Sequence, residues 1–287
     1  MATTTPLIWL ITGSSVGLGA ALATHVLKSG HKVIATARNI ASASEANPEI
    51  ASLGGQWMTL DVTSRNSGLV IQEALTVFGR IDVLVNNAGY SLLGAVEDIS
   101  EEEARDQFDT NFFGPLRLIR SILPSFRAQR SGTIINVSSV AGIDGLPTCG
   151  LYAGSKFALE GLSESLAHEV SDFNIRVLVV EPGAFRTRFL QSCTFPERET
   201  TSDYLGNTVG NTLKYFEGLD GMQPGDPVKC CSTIFDIVTK SGVASGLEKE
   251  YLRLPIGIDA LDRVDKKIRH MKETVEALRG ITSNTNF

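Results

Sequence analysis

Three residues between positions 139 and 156 have the types and spacing needed to move a proton on and off a carbonyl or alcohol oxygen. Tyr152 follows Ser139 by 13 positions, and Lys156 follows Tyr152 by four. On a helix the lysine therefore lies on the same face as the tyrosine, one turn along. A phenol alone is a poor proton donor at neutral pH, because its reference pKa is about 10. A neighbouring ammonium favours the phenolate, so we expect Lys156 to bring the pKa of Tyr152 towards physiological pH.

A Tyr-x-x-x-Lys pair also occurs by chance on solvated helices, so the pair needs independent support. That support comes from the N-terminus, where the apolar run 7–11 precedes the glycine-rich stretch 12–19 and then a helical pattern. A strand–turn–helix of this kind cradles the pyrophosphate of a dinucleotide, with the helix N-terminus facing the anion. We expect Gly13 to permit the tight turn, Gly17 to let phosphate approach, and Gly19 to allow close helix–strand packing.

The end of the next strand pattern, at 31–37, indicates which dinucleotide is bound. Folds that prefer NAD usually place an acidic residue there, which binds the 2′-hydroxyl of the adenine ribose. This chain has Ala37 and then Arg38. No carboxylate repels a 2′-phosphate, and a guanidinium is available to bind it. The sequence therefore predicts NADP(H) as the cofactor, with an ordinary surface arginine as the alternative interpretation of Arg38.

Together these residues resemble the short-chain dehydrogenase/reductase superfamily from Leu7 to about Leu254. The matching motifs arrive in the family's order and at its usual spacings. They are TGSSVGLG at 12–19, LDV at 60–62, NNAG at 86–89, Asn111, Ser139, Tyr152 with Lys156, and EPG at 181–183. The stretch around Tyr152 and the run RLPIGIDA at 253–260 resemble the branch with 17β-hydroxysteroid and retinol dehydrogenases and many microbial secondary-metabolism reductases.

The resemblance implies roles for residues that carry no chemical signal of their own. Asn111 would complete a Ser-Tyr-Lys-Asn catalytic set, kink its helix and hold a water that links Lys156 to solvent. The implied cofactor-binding residues are Gly13, Ser15, Gly17, Leu18, Gly19, Arg38, Asp61, Val62, Asn87, Ala88, Gly89, Tyr152, Lys156, Pro182, Gly183 and Thr187. Many NADP-preferring members carry a basic residue where this chain has Val16, which leaves Arg38 as the one clear partner for a 2′-phosphate.

The order of elements predicts an α/β fold: a single Rossmann-type domain over residues 1–287, with a doubly wound parallel sheet and helices on both faces. The predicted strands are 7–12, 32–37, 56–60, 82–86, 132–138, 175–180 and 249–254. The predicted helices are 17–29, 64–78, 101–128, 151–172, 226–241 and 258–279. The ligand site of such a sheet lies beyond the C-terminal ends of its strands, where the motifs fall.

Composition argues against several other classes of function. The net charge of −6 disfavours nucleic acid or an anionic membrane surface as a partner. No apolar run approaches the ~20 residues of a membrane span, and residues 1–6 lack the basic and apolar regions of a secretion signal. The four cysteines and four histidines show no metal-ligand spacing. We therefore predict reduced thiols, no metal and a cytoplasmic location.

Two segments outside the motifs also have predicted roles. Residues 184–225 read as irregular and contain six aromatic residues, and so long a loop is usually functional. The resemblance places the family's substrate-covering segment there, with a disordered insertion as the alternative. We expect the walls of an apolar pocket to include Tyr90, Leu146, Cys149, Phe185 and Phe189. The tail 255–287 has apolar residues at helical spacing and is expected to pack on the domain or on a second subunit.

The two long predicted helices, 101–128 and 151–172, are also expected to pair subunits, because family members commonly associate through them. Six of their apolar residues are predicted to face outward: Phe112, Phe113, Leu116, Leu159, Leu162 and Leu166. An apolar patch of that extent usually marks an interface, and two-fold symmetry is its commonest form. A homodimer or homotetramer is therefore expected.

These observations predict an NADPH-dependent oxidoreductase that reversibly reduces a ketone or aldehyde of a fairly apolar small molecule. Ser139 and Tyr152 would hold the carbonyl oxygen, and Tyr152 would donate the proton as hydride arrives from the cofactor. Two alternatives use the scaffold without redox chemistry: a cyclase or isomerase, and a binding protein that senses NADPH. Binding proteins of that kind typically lose the tyrosine or lysine, and this chain retains all four catalytic positions.

Overall fold

The computed structural model describes residues 5–285 and is built on one seven-stranded parallel sheet. The strands are β1 (Ile8–Ile11), β2 (Lys32–Ala37), β3 (Gln56–Thr59), β4 (Val83–Asn86), β5 (Gly132–Val137), β6 (Ile175–Pro182) and β7 (Arg253–Ile256). Their spatial order is β3-β2-β1-β4-β5-β6-β7, so the winding reverses between β1 and β4. The predicted Rossmann-type doubly wound sheet is confirmed.

Helices cover both faces of the sheet. They are α1 (Gly17–Lys28), α2 (Ile40–Ala46), α3 (Pro48–Ser52), α4 (Leu69–Phe78), α5 (Glu101–Phe108), α6 (Gly114–Gln129), α7 (Gly150–Val170), α8 (Thr208–Leu219), α9 (Pro227–Thr239) and α10 (Ile258–Thr282). Helices α1 and α9 pack on one face, and α4, α6 and α7 pack on the other. The central strands are therefore buried on both sides, which explains their continuous apolar runs.

Strand β1 shows how one short run supplies both cores. Trp9 and Ile11 point into the cluster under α1 and α9, while Ile8 and Leu10 point into the cluster under α4, α6 and α7. Alternate residues of a strand face opposite sides of the sheet. All four side chains are buried, so a one-residue slip would exchange the two sets and disrupt both cores at once.

The structure corrects several predicted boundaries. The predicted helix 101–128 is three elements, because a π-helical turn over Asp109–Phe113 separates α5 from α6. The last strand is at 253–256 rather than 249–254, and α4 begins at Leu69 rather than at 64. Helices α2 and α3 were not predicted. The segment 184–225 is not irregular throughout, since it contains α8.

Three residues predicted to face outward on α7 belong instead to the interior of the monomer. Leu159 and Leu166 are 1% and 4% exposed, and Leu162 packs against the core under α4, α6 and α7. The reason is that α7 packs across the face of the sheet, and neighbouring parts of the chain cover more than one side of the helix. The prediction holds for Phe113, which is 45% exposed, and the neighbouring apolar residue it missed is Phe157, which is 44% exposed.

None of the helices within residues 5–285 is long and apolar enough to cross a membrane. In the same range, no three His, Cys, Asp or Glu side chains are grouped so that they could hold a metal ion. Cys149, Cys193, Cys230 and Cys231 are free thiols.

Candidate active site

A buried ladder of polar side chains fixes helix α7, which carries Tyr152 and Lys156, on the sheet. The amide of Asn86 donates to Oδ1 of Asn136 at 2.8 Å, and Nδ2 of Asn136 donates to Oγ of Ser163 at 2.8 Å. All three residues are buried. Breaking a buried hydrogen bond leaves a desolvated partner and costs about 1–3 kcal/mol. The ladder therefore holds α7 at one position against β4 and β5.

Ser139, Tyr152 and Lys156 meet at the C-terminal end of β5. The Oγ of Ser139 accepts the N–H of Ala141 at 3.1 Å, and its hydroxyl lies close enough to the Tyr152 phenol to lower the pKa of that phenol. The Nζ of Lys156 donates to the carbonyl of Val137 at 2.8 Å and lies 5.8 Å from the centre of the Tyr152 ring. The three residues predicted from spacing are therefore brought together.

Burial dominates the protonation of Tyr152 and Lys156. It raises the pKa of the Tyr152 phenol above its ordinary value, and the bond from Ser139 lowers that pKa by less. It also lowers the pKa of Lys156 to about 8, against a smaller raising effect of Glu160. The prediction that Lys156 brings the pKa of Tyr152 towards physiological pH is wrong in this structure, because desolvation disfavours the charged form of each group. Tyr152 is a neutral phenol that holds its proton at neutral pH.

Asn111 lies in the π-helical turn between α5 and α6 and is fully buried. Its Oδ1 accepts the N–H of Tyr90 at 3.2 Å, and its Nδ2 donates to the carbonyl of Tyr90 and to Oγ of Ser155, both at 3.0 Å. Ser155 is on α7, so Asn111 joins the interrupted helix to the helix of Tyr152. π-turns often occur at functional sites. The water expected on Asn111 stays a prediction.

The glycine-rich loop after β1 has the backbone that its sequence requires. Gly13 and Gly17 have φ values of +67° and +61°, a region that favours glycine because other residues are strained there. A Cβ on Gly13 would lie 2.9 Å from Cα of Ala88, and one on Gly19 would lie 2.3 Å from the carbonyl oxygen of Gly13. Side chains at these two positions would push the loop away from β4 and from the start of α1.

Two polar residues hold this loop against the end of β4. The amide of Asn87 donates to the carbonyls of Thr12 and Gly13 at 2.9 and 3.1 Å. In return, Oγ1 of Thr12 accepts the N–H groups of Asn87 and Ala88 at 2.9 and 3.0 Å. Thr12 was not singled out from the sequence, although it opens the glycine motif. Its hydroxyl is the contact that joins the two motifs.

The N-terminus of α1 fits a phosphate group. Val16 makes no side-chain hydrogen bond to the first turn, and that turn has no acidic residue. The first-turn N–H groups therefore have no side-chain acceptor and can bind an anion. Thr187 lies against this point, since a Cβ on Gly17 would be 3.6 Å from Cβ of Thr187. Ser15 and Leu18 flank the same turn.

The remaining predicted cofactor residues also follow strand ends. Arg38 is exposed after β2, and Asp61 is exposed after β3, with its Oδ1 accepting the N–H and hydroxyl of Thr63. Val62 is buried beside Gly114, and Gly89 lies close to both Asn111 and Lys156. Pro182 ends β6, and the N–H of Gly183 donates to the carbonyl of Ile256 at 2.9 Å. These positions lie at the C-terminal ends of the strands.

The two ends of the segment 184–225 are hydrogen-bonded to each other. The N–H of Arg186 donates to the carbonyl of Gly225 at 2.9 Å, and the N–H of Gly225 donates to the carbonyl of Ala184 at 3.0 Å. Further along, Thr194 exchanges backbone hydrogen bonds with Ser91 and Leu93, both at 2.9 Å. The segment is therefore fastened at its base and again beside the loop that follows β4.

Between these two attachments the segment passes over Tyr152, and Phe189 lies 5.8 Å from it, ring centre to ring centre. Cys149 and Cys193 also lie near the phenol, and burial raises the pKa of the Cys193 thiol to about 12. Cys193 was missed because nothing in its local sequence points to Tyr152.

The other predicted wall residues have different neighbours. The Tyr90 phenol lies near Asp106 and Glu103 of α5, and Phe185 packs against Gly225 and Gly257 at the base of the segment. Leu146 is partly buried, and its carbonyl accepts the N–H of Cys149 at 3.2 Å. Of the five predicted wall residues, Cys149 and Phe189 are the two that the structure places beside Tyr152.

The chain is similar in sequence to known proteins. The short chain dehydrogenase family model matches residues 8–197. The oxidoreductase claN of Passalora fulva is 50% identical over 212 residues, which is 74% of this chain and 96% of that protein. The chain belongs to the short-chain dehydrogenase family. Retinol dehydrogenase 8 of Homo sapiens is 42% identical to this dehydrogenase over 216 residues, covering 73% of this chain and 68% of the relative.

Solved structures extend the likeness to the whole fold. A short-chain dehydrogenase from Streptomyces avermitilis covers 99% of this chain and 100% of its own, with 36% identity and a TM-score of 0.88. Two more distant structures of the same fold hold different dinucleotides. One, from Burkholderia phymatum, is in complex with NAD (20% identity, TM-score 0.78, 96% of each chain). The other, ElxO, has NADP bound (25% identity, TM-score 0.69, 87% of this chain and 97% of its own).

This short-chain dehydrogenase has a cluster of charges that ties β7 to α7, in which the carboxylates of Glu160 and Glu181 are buried. The guanidinium of Arg253 contacts the carboxylates of Glu160 and Glu181, and also that of Glu164 at 2.7 Å. Glu160 accepts the hydroxyl of Ser138 at 2.6 Å as well. Burial and the neighbouring carboxylates raise the pKa of Glu181 to about 7, although Arg253 opposes them. One guanidinium therefore faces three carboxylates, and one of these also binds the residue that precedes Ser139.

The Glu181 carboxyl should make the dehydrogenase less stable as pH rises. Its pKa is raised in the folded state, to about 7 from an ordinary 4.5, so the folded chain binds this proton more tightly than the unfolded chain. The stabilisation is complete below about pH 4.5 and is lost as pH rises towards 7. We expect Glu181→Gln to remove the part of this loss of stability that comes from the Glu181 carboxyl. Urea unfolding at pH 5, 6, 7 and 8 measures it.

Glu164→Gln is the matched control, since this side chain contacts the same Arg253 but is 52% exposed. It should change the slope between pH 5 and 7 much less than Glu181→Gln does, because its charge has the smallest of the effects that raise the pKa of Glu181. Equal slopes for Glu181→Gln and the unsubstituted protein would contradict the assignment.

Proposed function

We propose that this oxidoreductase reduces a ketone or aldehyde of an apolar small molecule to an alcohol, reversibly, with NADPH as the reductant. The observation that carries the proposal is the neutral phenol of Tyr152, buried beside the hydroxyl of Ser139. It lies at the strand ends where the glycine loop and the open N-terminus of α1 also lie. Such a reduction needs a proton donor and a phosphate site together at the C-terminal ends of the strands.

The chain's own residues account for the acid–base part of the reaction. Bound NADPH supplies a hydride to the carbonyl carbon. Ser139 and Tyr152 hold the carbonyl oxygen with their hydroxyls, and Tyr152 donates its proton as negative charge develops there. The Lys156 ammonium lies beside the ring and stabilises the phenolate that remains. In the reverse direction the phenolate accepts the proton of an alcohol.

Apolar surroundings support an apolar substrate. Phe189 covers the Tyr152 ring, and Leu92 and Leu93 are buried in the loop that pairs with the covering segment. Burial keeps the Cys193 thiol neutral, so it adds no charge near the phenol. Retinol, the substrate in the name of the human relative, is an apolar alcohol. Together these features favour a ketone, aldehyde or alcohol on a largely hydrocarbon molecule.

We also propose that subunits pair through α6 and α7, as a dimer or as part of a tetramer. The exposed ring of Phe157 lies on α7, and that of Phe113 ends the π-helical turn directly before α6, where Phe112 and Leu116 are half-buried. Exposed aromatic rings at a helix pair are typical of an interface. A cytoplasmic location stays a prediction.

Tyr152→Phe should remove most of the turnover while leaving cofactor binding nearly unchanged, because only the proton-donating hydroxyl is lost. General acid catalysis contributes about 10²–10⁴-fold, so we expect a fall of that size in kcat for ketone reduction. Steady-state kinetics and NADPH fluorescence titration measure the two quantities. Tyr251→Phe removes a hydroxyl from a half-exposed ring outside the site and should leave both unchanged. A Tyr152→Phe enzyme with more than about a tenth of the original rate would exclude the role.

The pH profile of reduction should follow Lys156. Its pKa is about 8, so the ammonium is present below pH 8 and is lost above it, and kcat/KM should fall about tenfold per pH unit beyond that point. The charge of Glu160 raises this pKa, so Glu160→Gln should shift the alkaline limb to lower pH. Glu164→Gln serves as the exposed control and should leave the limb in place. If Glu160→Gln leaves the alkaline limb of the pH profile in place, the assignment of that limb to Lys156 is contradicted.

Cofactor choice should depend on Arg38. A charge-assisted hydrogen bond contributes about 1.5–3 kcal/mol, so Arg38→Asp should raise the dissociation constant for NADPH by about tenfold to a hundredfold. Binding of NADH should be unchanged or tighter, because the carboxylate can accept the ribose 2′-hydroxyl. Arg120→Asp changes an exposed arginine on α6 and is the control. Equal losses for both cofactors would show that Arg38 has a structural role.

A further inference from the structure

Helix α10 leaves the domain with one apolar face uncovered. Its first turns are attached, since Ala260 is buried and Arg263 binds Asp144 at 2.9 Å. From Ile268 to the end of the described chain, every residue is exposed. The exposed residues include large apolar side chains such as Met271, which is 57% exposed. The expected packing of the tail on the domain therefore extends over its first turns only.

The apolar side chains of this face form a regular seam, all exposed except Val264, which is half-buried. They are Leu261, Val264, Ile268, Met271, Val275 and Leu278, with alternating spacings of three and four residues. That is the repeat of a and d positions in a coiled coil, with Leu261, Ile268 and Val275 at a. The helix has 25 residues, which is about 37 Å. The seam therefore has the period and length of a helix that pairs with another helix.

The charges beside the seam select the partner and its direction. In a parallel pair of α10 helices, Lys267 at g would face Lys272 of the second copy at e, and two such repulsions would arise. In an antiparallel pair, Asp265 at e faces Lys272 of the second copy, and two attractions replace them. The same antiparallel register aligns every seam residue, Leu261 with Leu278, Val264 with Val275, and Ile268 with Met271.

We propose that α10 binds α10 of a second copy of this chain as an antiparallel coiled coil. This interface lies apart from α6 and α7, so it pairs dimers into tetramers if both interfaces form. An anionic membrane surface fits less well. Between residues 258 and 282 the helix has six Lys or Arg and five Asp or Glu residues, whereas helices that lie on such membranes have a strongly basic polar face.

Disulfide capture tests the pairing and its direction. Leu261→Cys and Leu278→Cys are made as separate full-length proteins, one of them with a mass tag, and are oxidised alone and mixed. The antiparallel register predicts a mixed disulfide and no homodisulfide through either substitution. Homodisulfides would indicate the parallel register and overturn the proposal, and so would the absence of any new disulfide. The unsubstituted protein shows the background from Cys193, which is only partly buried, whereas the other three cysteines are buried.

Charge variants test the same register without changing the seam. Lys272→Glu places two like-charged pairs across the interface and should weaken α10 pairing by about tenfold, since exposed pairs contribute modestly. Adding Asp265→Lys should restore it. Lys266→Glu, on the outer face of the helix, should have no effect. Sedimentation equilibrium measures the association, and failure of the double variant to restore pairing would contradict the register.

A seam variant separates self-association from the alternatives. Ile268→Asp with Val275→Asp should halve the mass of the assembly in solution, whether it starts as a tetramer or a dimer, and circular dichroism checks that the fold is kept. An unchanged mass would overturn the proposal. Flotation with phosphatidylserine–phosphatidylcholine vesicles should show no binding of the unsubstituted protein. Vesicle binding that the seam variant abolishes, without self-association, would assign this face to lipid instead.

Discussion

The geometry of the candidate site depends on how α7 is fixed along β5. Asn136 bonds Ser163, and Lys156 bonds the carbonyl of Val137, all in the interior. A shift of α7 by one turn, about 5.4 Å, would leave these buried groups unpaired, at a cost of about 1–3 kcal/mol each. The same position brings Tyr152 to Ser139. The polar contacts that hold the helix are therefore also the contacts that assemble the site.

Burial of this site has chemical as well as structural consequences. Removing water raises the pKa of Tyr152 and lowers that of Lys156 to about 8. The first effect keeps the proton on the phenol, and the second limits the pH range in which a cation lies beside it. Glu160 partly offsets the second effect, because its carboxylate is buried one turn further along α7. The protonation of the site thus depends on a residue that does not contact the phenol.

The edge strand of the sheet, β7, is linked to the site by ionic and polar contacts rather than by apolar packing alone. Among the described residues, strand β7 pairs only with β6, and it contains Pro255, which suits an edge strand. Arg253 connects this strand to Glu160 of α7. Asp259, in the first turn of α10, accepts the N–H of Ala184 at 2.7 Å, where the covering segment begins. The C-terminal part of the chain therefore supports both helix α7, which carries Tyr152, and the base of segment 184–225.

The amino-acid sequence by itself determined the fold class, the glycine loop and the Ser139–Tyr152–Lys156 set, because each is encoded by short-range spacing or by the alternation of strands and helices. It did not determine the direction of the Tyr152 pKa, the position of Cys193 near the phenol or the burial of Leu159. Those properties depend on which distant segments cover a residue. Helix α10 illustrates both contributions. The sequence shows its seam as a heptad pattern, but only the tertiary structure shows that the domain leaves most of that seam uncovered.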